Sequence, residues 1–235
     1  MNPLYIQIKK KITESLVEGL WHPGESIPSE IELAYSFSVS QGTVRKAIDE
    51  LSAEKILIRR QGKGTFVASH NEENNQLRFL RLTSSLGFKE KLDNKLLSFE
   101  KGNVSNGLAK TLNINNASTI VSIKRVLTFN QKPLILDVIK VPASRFRGLT
   151  SEKVIEKKGS MYRMYEIDFG TQILHAKEKI SAVGANSEAA EILGVVVGTP
   201  ILSVERVSFT YENTPIEWRL GLCLTENHHY ATELE

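Results

Sequence analysis

One cysteine, Cys223, stands in a chain of 235 residues. No internal disulfide and no cysteine-rich zinc site can be built from it, and this usage agrees with a reducing compartment. Long hydrophobic runs are missing too: no stretch approaches the roughly eighteen uninterrupted apolar residues that a membrane helix needs, so no membrane association is expected. The opening residues, Met1-Asn2-Pro3-Leu4-Tyr5-Ile6-Gln7-Ile8, lack an apolar segment preceded by basic residues, and no secretory signal is read there. The expected location is the cytoplasm. An excess of one charge is nearly absent as well, because 30 Lys and Arg face 27 Asp and Glu, a net +3 that is too small to name a partner. What remains, 41% apolar and 24% charged, is an ordinary globular composition with length for one large or two medium domains.

The distribution of charge says more than its sum. Between residues 45 and 63, Arg45, Lys46, Lys55, Arg59, Arg60 and Lys63 outnumber Asp49, Glu50 and Glu54, so the N-terminal part is locally basic. The stretch His70-Asn71-Glu72-Glu73-Asn74-Asn75-Gln76 has no apolar residue and reads as a linker between independently cored halves. The expected division is residues 1–69, a linker over 70–77, and a second domain over 78–235.

In the first seventy residues, Leu4, Ile8, Ile12, Leu16 and Leu20 recur every fourth position and predict an amphipathic helix over 4–19, stopped by Gly19 and Pro23-Gly24. Ser29-Glu30-Ile31-Glu32 is a capping box that starts a second helix running to about Tyr35. After the short Phe37-Ser38-Val39 turn, Ser40 is a good N-cap, and Val44, Ala47, Ile48 and Leu51 lie at i, i+3, i+4 and i+7 of a third helix. Gln41, Gly42, Arg45, Lys46 and Asp49 gather on its opposite face. The β-type runs Ile56-Leu57-Ile58-Arg59-Arg60 and Thr65-Phe66-Val67-Ala68 flank Gln61-Gly62-Lys63-Gly64 and predict a hairpin with a basic tip.

Three helices and a hairpin in this order form a winged helix-turn-helix pattern, which suits double-stranded DNA. Arg45 and Lys46 can reach phosphates or guanine edges, Gln41 can pair with adenine, and Gly42 allows close backbone approach. Lys63 at the glycine tip is placed for a minor groove or a phosphate. The competing reading is a set of charges that merely solvates a surface.

At these residues the chain resembles the GntR superfamily of bacterial transcription regulators and, within it, the HutC subfamily. The resemblance is carried by Pro3 to Ile8, Pro23-Gly24, Ile27 to Ala34, Val39 to Ile48 and Gln61 to Val67. It implies that Thr43 and Arg45 contact DNA, that Ser29 and Glu30 set the start of the second helix against the DNA backbone, and that Lys63-Gly64-Thr65 form the wing. The full expected DNA-contacting set is Ser29, Glu30, Ser40, Gln41, Gly42, Thr43, Arg45, Lys46, Arg60, Lys63, Gly64 and Thr65. Many relatives have Arg where this chain has Ile31 and Gln41, which leaves the operator sequence open.

Residues 92–224 contain an internal repeat at an offset of 81 positions. Leu108-Ala109-Lys110-Thr111-Leu112 aligns with Ala189-Ala190-Glu191-Ile192-Leu193, and Ile120 to Val126 aligns with Ile201 to Val207. After one inserted residue, Lys132-Pro133-Leu134 meets Thr214-Pro215-Ile216. Each copy reads as strand, short helix, turn and a hairpin closed near Asn130-Gln131-Lys132-Pro133 or Glu212-Asn213-Thr214-Pro215. The expected class is α+β with an antiparallel sheet, the hairpins pairing about a pseudo-twofold axis and a cleft between the copies serving as ligand pocket.

This half resembles the UTRA effector-sensing domain, whose fold is that of chorismate lyase. That resemblance implies a pocket lined by Thr83, Ser84, Arg125, Asp137, Ser160, Tyr162 and Glu217. Arg125 can bind an acidic group bidentately, and Asp137 and Glu217 can accept from ligand hydroxyl or amino groups. Against that, Arg125 and Asp137 could simply pair on the sheet surface. Sugar-phosphate sensors of the family commonly carry a second Arg where this chain has Leu127 and an aromatic residue where it has Cys223.

His228 and His229 lack a third ligand at suitable spacing, so surface histidines rather than a metal site are expected, and no cofactor is implied. Cys223 reads as a packed thiol. The leading function is a ligand-responsive transcription factor, a repressor and a homodimer, whose partners are operator DNA and a small-molecule effector. A lyase-like enzyme with a DNA-targeting module has no base and nucleophile at recognisable spacing, and fold alone does not carry function. A basic interaction module without sequence-specific binding is the third reading.

Overall fold

The computed structural model describes residues 2–69, 81–85, 92–156 and 161–232. The expected linker over 70–77 lies outside the described residues, as does Ser160.

Helix α1 spans Leu4–Val17, α2 Glu30–Phe37 and α3 Gln41–Ala53. In α1, Ile8, Ile12 and Leu16 are buried, whereas Leu4 and Leu20, expected on the same stripe, are 50% and 64% exposed. The cause is geometric: a step of four residues overshoots one turn by about 40°, so residues two steps from Ile12 are rotated by about 80° off the core-facing line. Leu20 also follows the helix, which has ended before Gly19 at φ +77°. At the start of α2 the capping box forms as expected, with the Ser29 backbone N–H donating to the Glu32 carboxylate at 2.8 Å and the Glu32 N–H to the Ser29 hydroxyl at 3.3 Å. Ser38 takes the left-handed conformation that ends α2, and Ser40 caps α3 by accepting from the Thr43 N–H at 3.2 Å. Val44, Ala47, Ile48 and Leu51 are all fully buried beneath α3.

Strands β1 (Leu57–Arg60) and β2 (Gly64–Val67) pair antiparallel, Leu57 opposite Val67 and Arg60 opposite Gly64. Gly62 and Gly64 adopt φ of +71° and +106°, the conformations that made glycine necessary at the tip.

The second domain is built on the strand order β4-β5-β6-β9-β8-β7, antiparallel throughout. Its elements are β4 (Leu92–Asn103), α4 (Asn106–Leu112), β5 (Thr119–Phe129) and β6 (Lys132–Pro142), then α5 (Ser151–Glu156) and α6 (Met161–Phe169). The second copy follows as β7 (His175–Gly184), α7 (Ser187–Leu193), β8 (Pro200–Phe209) and β9 (Pro215–Cys223). The repeat is therefore real at the level of elements: strand, helix and hairpin recur in the same order, and the two hairpins meet at β6 and β9, with Ile135 opposite Cys223 and Lys140 opposite Trp218. The hairpin reversals sit one or two residues earlier than the turn sequences suggested in the first copy. Asn130 and Gln131 take positive φ, and Lys132 and Pro133 already belong to β6. In the second copy Glu212 and Asn213 do the same within a single 3₁₀ turn over Tyr211–Asn213.

The sheet is covered on both faces. Helices α4 and α7 bury one face, through clusters around Ala109, Leu112 and Ile120 and around Ala189, Leu193 and Ile201. On the other face, α5 and α6 cover an apolar cluster that includes Val121, Ile123, Ile139, Phe146 and Tyr165. At the far end of that face a ribbon of β3 (Leu82–Ser84) and β10 (His228–Tyr230) covers Leu127, Ile135, Val204 and Cys223.

One expectation changes. The halves are not cored wholly independently, because Leu174 and Tyr211 of the second domain are part of the winged-helix core beside Ile8, Ile12 and Ile56. Periodicity within a segment cannot announce a side chain that crosses to another domain. The seam is incomplete: an open cavity of about 540 Å³ lies beside it, lined by residues including Lys9, Lys10, Leu174, His175, Glu212 and Asn213.

Candidate DNA-contacting surface and effector site

The outward face of α3 is the one expected: Gln41, Gly42, Arg45, Lys46 and Asp49 are exposed, as are Lys63 and Gly64 at the wing tip, with Thr65 half-buried. The structure adds an organising residue that sequence spacing does not reveal. Glu30 accepts from Arg45 Nε at 2.9 Å, from Gln41 Nε2 at 3.3 Å and from Arg59 Nη2 at 3.0 Å, while Arg59 also meets Asp49 at 2.8 Å. Partial burial pushes the Glu30 carboxyl up, but these donors outweigh it and hold it below its ordinary value. Glu30 thus ties α2, α3 and the wing together. Ser29 spends its side chain on the capping box, and Ser40 and Thr43 hydroxyls lie 2.9 Å apart at the start of α3. Lys46 and Arg60 lie over the rings of Tyr5 and Phe66, at 4.1 and 4.7 Å from the centroids. Such cation–π contacts orient a charge without neutralising it. Arg59 was missed because it reads as one more β-strand charge.

The second site lies on the α6-covered face, between the two apolar clusters there. Strand alternation places Arg125 (β5), Asp137 (β6), Glu217 and Arg219 (β9), and Arg206 and Ser208 (β8) on it. Arg125 and Asp137 do pair, Nε to Oδ2 at 2.9 Å, but with side chains only 3% and 2% exposed, which overturns the surface-pair alternative. Tyr162 and Tyr165 reach down from α6, each donating to Glu217, at 2.9 and 2.8 Å, and Ser208 donates to it at 3.2 Å. Arg206 meets Glu178 of β7 at 2.5 to 2.6 Å, and the Tyr230 hydroxyl of the ribbon donates to the same carboxylate. Arg219 lies over the Tyr162 ring at 5.2 Å.

Burial by itself would push the Asp137 carboxyl up; Arg219, then Arg125 and Arg206, outweigh it and leave it lowered. Burial raises the Tyr165 and Tyr162 hydroxyls, and Glu217 adds to the effect, so both stay protonated donors. Burial also pushes the Cys223 thiol up to about 12, in keeping with a packed thiol. Of the expected effector residues, the structure brings together Arg125, Asp137, Tyr162 and Glu217. Thr83 and Ser84 lie on β3 opposite His229 and His228, Thr83 exposed and Ser84 half-buried, at the ribbon that closes one end of this face. Among the described residues no cluster of His, Cys, Asp or Glu could hold a metal. Arg206, Arg219, Tyr165, Ser208 and Glu178 were missed, although strand parity with Glu217 would have placed Arg219 inward.

A basic, capped helix beside a glycine-tipped wing, joined to a sheet whose inner face holds buried polar and charged groups, defines a DNA-binding regulator with a sensor domain. The comparisons agree. Residues 4–67 match the bacterial regulatory proteins of the gntR family and residues 89–229 match the UTRA domain. The chain belongs to the gntR family and carries a UTRA effector domain, so it is a DNA-binding transcriptional regulator with a domain for a small molecule. The HTH-type transcriptional regulator YurK of Bacillus subtilis is 32% identical over 95% of this chain and 92% of its own length. The probable fructoselysine utilization operon transcriptional repressor of Escherichia coli is 29% identical over 91% and 87%. The ligand-binding domain of a GntR-family regulator from Bordetella bronchiseptica superposes with a TM-score of 0.65 at 36% identity, covering 67% of this chain and 98% of that one. These names are those of transcriptional regulators, not enzymes. No described helix is long and apolar enough to cross a membrane.

Proposed function

We propose that the protein is a homodimeric repressor of the HutC type, acting in the cytoplasm, where its operator lies. Residues 1–69 form the DNA-binding domain, 70–77 the linker and 78–235 the effector domain. Arg45, with Gln41, Gly42, Thr43 and Lys46, enters the major groove, Ser40 caps the helix that carries them, and the wing, with Arg60, Lys63, Gly64 and Thr65, contacts the adjacent backbone. One winged helix reads a half-site, so two copies are needed for an operator with two half-sites about 34 Å apart. The effector binds at Arg125, Asp137, Tyr162 and Glu217, with Thr83, Ser84 and Ser160 also contributing.

The observation that carries this reading is the double engagement of α6. Its Tyr162 and Tyr165 hold Glu217 in the charged face, while the next residue, Glu166, accepts a hydrogen bond from Ser69 at the end of the DNA-binding domain. An effector that moves α6 changes what the winged helix is docked against. Relatives are named for fructoselysine utilization and for mannosyl-D-glycerate transport and metabolism, which supports a carbohydrate-derived effector here. The test is a footprint of the purified chain on fragments of its own genome, with light scattering for the oligomer. A protected pair of half-sites bound by a dimer supports the proposal; a monomer, or binding without a preferred sequence, refutes it.

A further inference from the structure

We infer that the seam between the two domains holds a second binding site, separate from the charged sheet face, and that its occupant is a small uncharged molecule with several hydroxyl groups. This goes beyond the reading above and does not depend on it.

The site is the open cavity of about 540 Å³ between α1 and the turn that joins β8 to β9. Clefts that take small molecules run from ~300 to 1,000 Å³. Both domains build its apolar wall, with Ile6 of α1 and Ile56 on one side and Leu174 on the other. Its charges, Lys9 and Lys10 against Glu54 and Glu212, cancel in sum. Both lysines are already paired, Lys9 with Glu50 and Glu54 and Lys10 with Glu14. An ionic occupant would have to break such a pair or lie in the cleft uncompensated. A hydroxyl group donates and accepts at once and needs neither.

The remaining polar groups suit hydroxyls. Thr210 borders the cavity and is 2% exposed, and its side-chain oxygen has no hydrogen-bond partner among the described residues. Its main chain is satisfied, since the Thr210 N–H donates to the Thr214 carbonyl at 2.9 Å, so the lack is confined to the hydroxyl. Ser208, two residues back on the same strand face, has both Tyr162 and Glu217 within hydrogen-bond reach. A buried hydroxyl without a partner is costly, and a ligand hydroxyl beside it recovers that cost. Across the cavity, Thr13 donates to the Lys9 carbonyl at 3.0 Å and keeps its lone pairs to accept. Asn213 accepts from His175 Nε2 at 2.8 Å through its carbonyl oxygen, which leaves its amide N–H groups to donate. Donors and acceptors on two walls beside an aliphatic one match a polyol or sugar ring, which has hydroxyls at its rim and C–H groups on its face.

The occupant would touch both domains at once. Helix α1 shares its core with the recognition helix, Ile8 and Ile12 packing in the cluster of Val44, Ala47 and Ile48. A molecule wedged between α1 and the β8–β9 turn therefore favours one docked arrangement, and operator affinity shifts with it, as an input distinct from an effector on the sheet face.

The test uses the full chain with ¹³C-labelled Ile, Leu and Thr methyl groups. Three uncharged probes, D-glucose, D-mannose and myo-inositol, are titrated beside sodium acetate. At least one uncharged probe is expected to shift the methyls of Ile6, Ile56, Leu174 and Thr210 while those of Ile123 and Ile139, beneath α6, stay in place. Thr210→Val keeps the side-chain shape and removes the unpartnered hydroxyl, so it is expected to fold and to weaken that probe about threefold or more. Should it not fold, Asn213→Gly takes its place, because glycine suits the left-handed backbone there (φ +54°) and only the amide is lost. If none of the three probes moves the seam methyls, or if the folded variant binds as well as the wild type, the inference is overturned. Shifts confined to Ile123 and Ile139 also overturn it, and leave the sheet-face effector site standing. Tighter binding of acetate at the seam overturns the uncharged class.

Discussion

The side-chain amide of Gln172 donates to the main-chain carbonyl oxygen of Ala68 at 2.5 Å, across 104 residues of sequence. The other end of the same amide accepts from the Tyr211 hydroxyl at 2.8 Å. Gln172 follows α6 by three residues, so the helix that closes over the charged face is fastened at its C-terminal end to Ala68, the residue that follows the last strand of the wing domain. A coupling between effector and DNA needs two arrangements that the effector binds unequally, and this fastening is a place where two arrangements can differ.

Gln172→Leu removes both hydrogen bonds and strands a buried carbonyl and a buried hydroxyl, a cost of about 1–3 kcal/mol for each group left unpaired. The expected outcome is a variant that binds operator in the absence of effector and responds to effector less than the wild type. Operator affinity measured with and without effector gives the coupling directly. An unchanged ratio of the two affinities removes Gln172 from the path.

On the DNA side, Arg45→Ala is expected to weaken specific binding by ~1–3 kcal/mol and to leave folding intact, because Arg45 is exposed and its partner Glu30 keeps Arg59. Lys63→Ala at the wing tip is expected to lower specific and non-specific affinity together and to reduce the salt slope by about one. Mobility-shift titrations over a salt series separate the two. A loss at Lys63 confined to one base position contradicts a phosphate contact.

The helices, the wing and the doubled hairpins were legible because each is announced locally, by the Ser29 and Ser40 caps, by the run Val44 to Leu51, by Gly62 and Gly64, and by the offset of 81 between Ile120 and Ile201. Half of the charged face was legible through resemblance, as Arg125, Asp137, Tyr162 and Glu217. Arg206 and Arg219 were not, since two arginines in amphipathic strands look like solvent-facing positions until their own face is seen to be covered by α6 and the β3–β10 ribbon. The seam was the least legible part. Nothing local to Gln172, Leu174 or Tyr211 says that another domain supplies their partners, whereas the exposure of Leu4 follows from its four-residue spacing once the drift of the helix is counted.

Cys223 tests the burial of the β3–β10 end of the face. Only 5% exposed, with a thiol pushed up to about 12, it presents almost no thiolate at pH 8. Labelling by a disulfide reagent is expected to be negligible in the native protein and to reach one thiol per chain in denaturant. Rapid native labelling would mean that the ribbon does not cover this strand.

Asp137 gives the pH dependence of the effector domain. Its folded-state value is lowered, Arg219, Arg125 and Arg206 outweighing burial, so the unfolded chain takes up the proton more readily than the folded one. The contribution to stability is therefore complete above about pH 5 and is lost as the pH falls through the folded-state value. Asp137→Asn removes the titration and leaves the Arg125 guanidinium buried without its anion, a loss of about 3–5 kcal/mol at neutral pH. Urea unfolding of both proteins from neutral to acid pH is the measurement. The wild-type stability is expected to fall towards that of the variant as the solution is acidified, because protonation does in the wild type what the substitution does permanently. Two curves that stay parallel through the acid range would show that Asp137 carries no titrating share of the stability, and that its pairing with Arg125 is not the electrostatic anchor of this face.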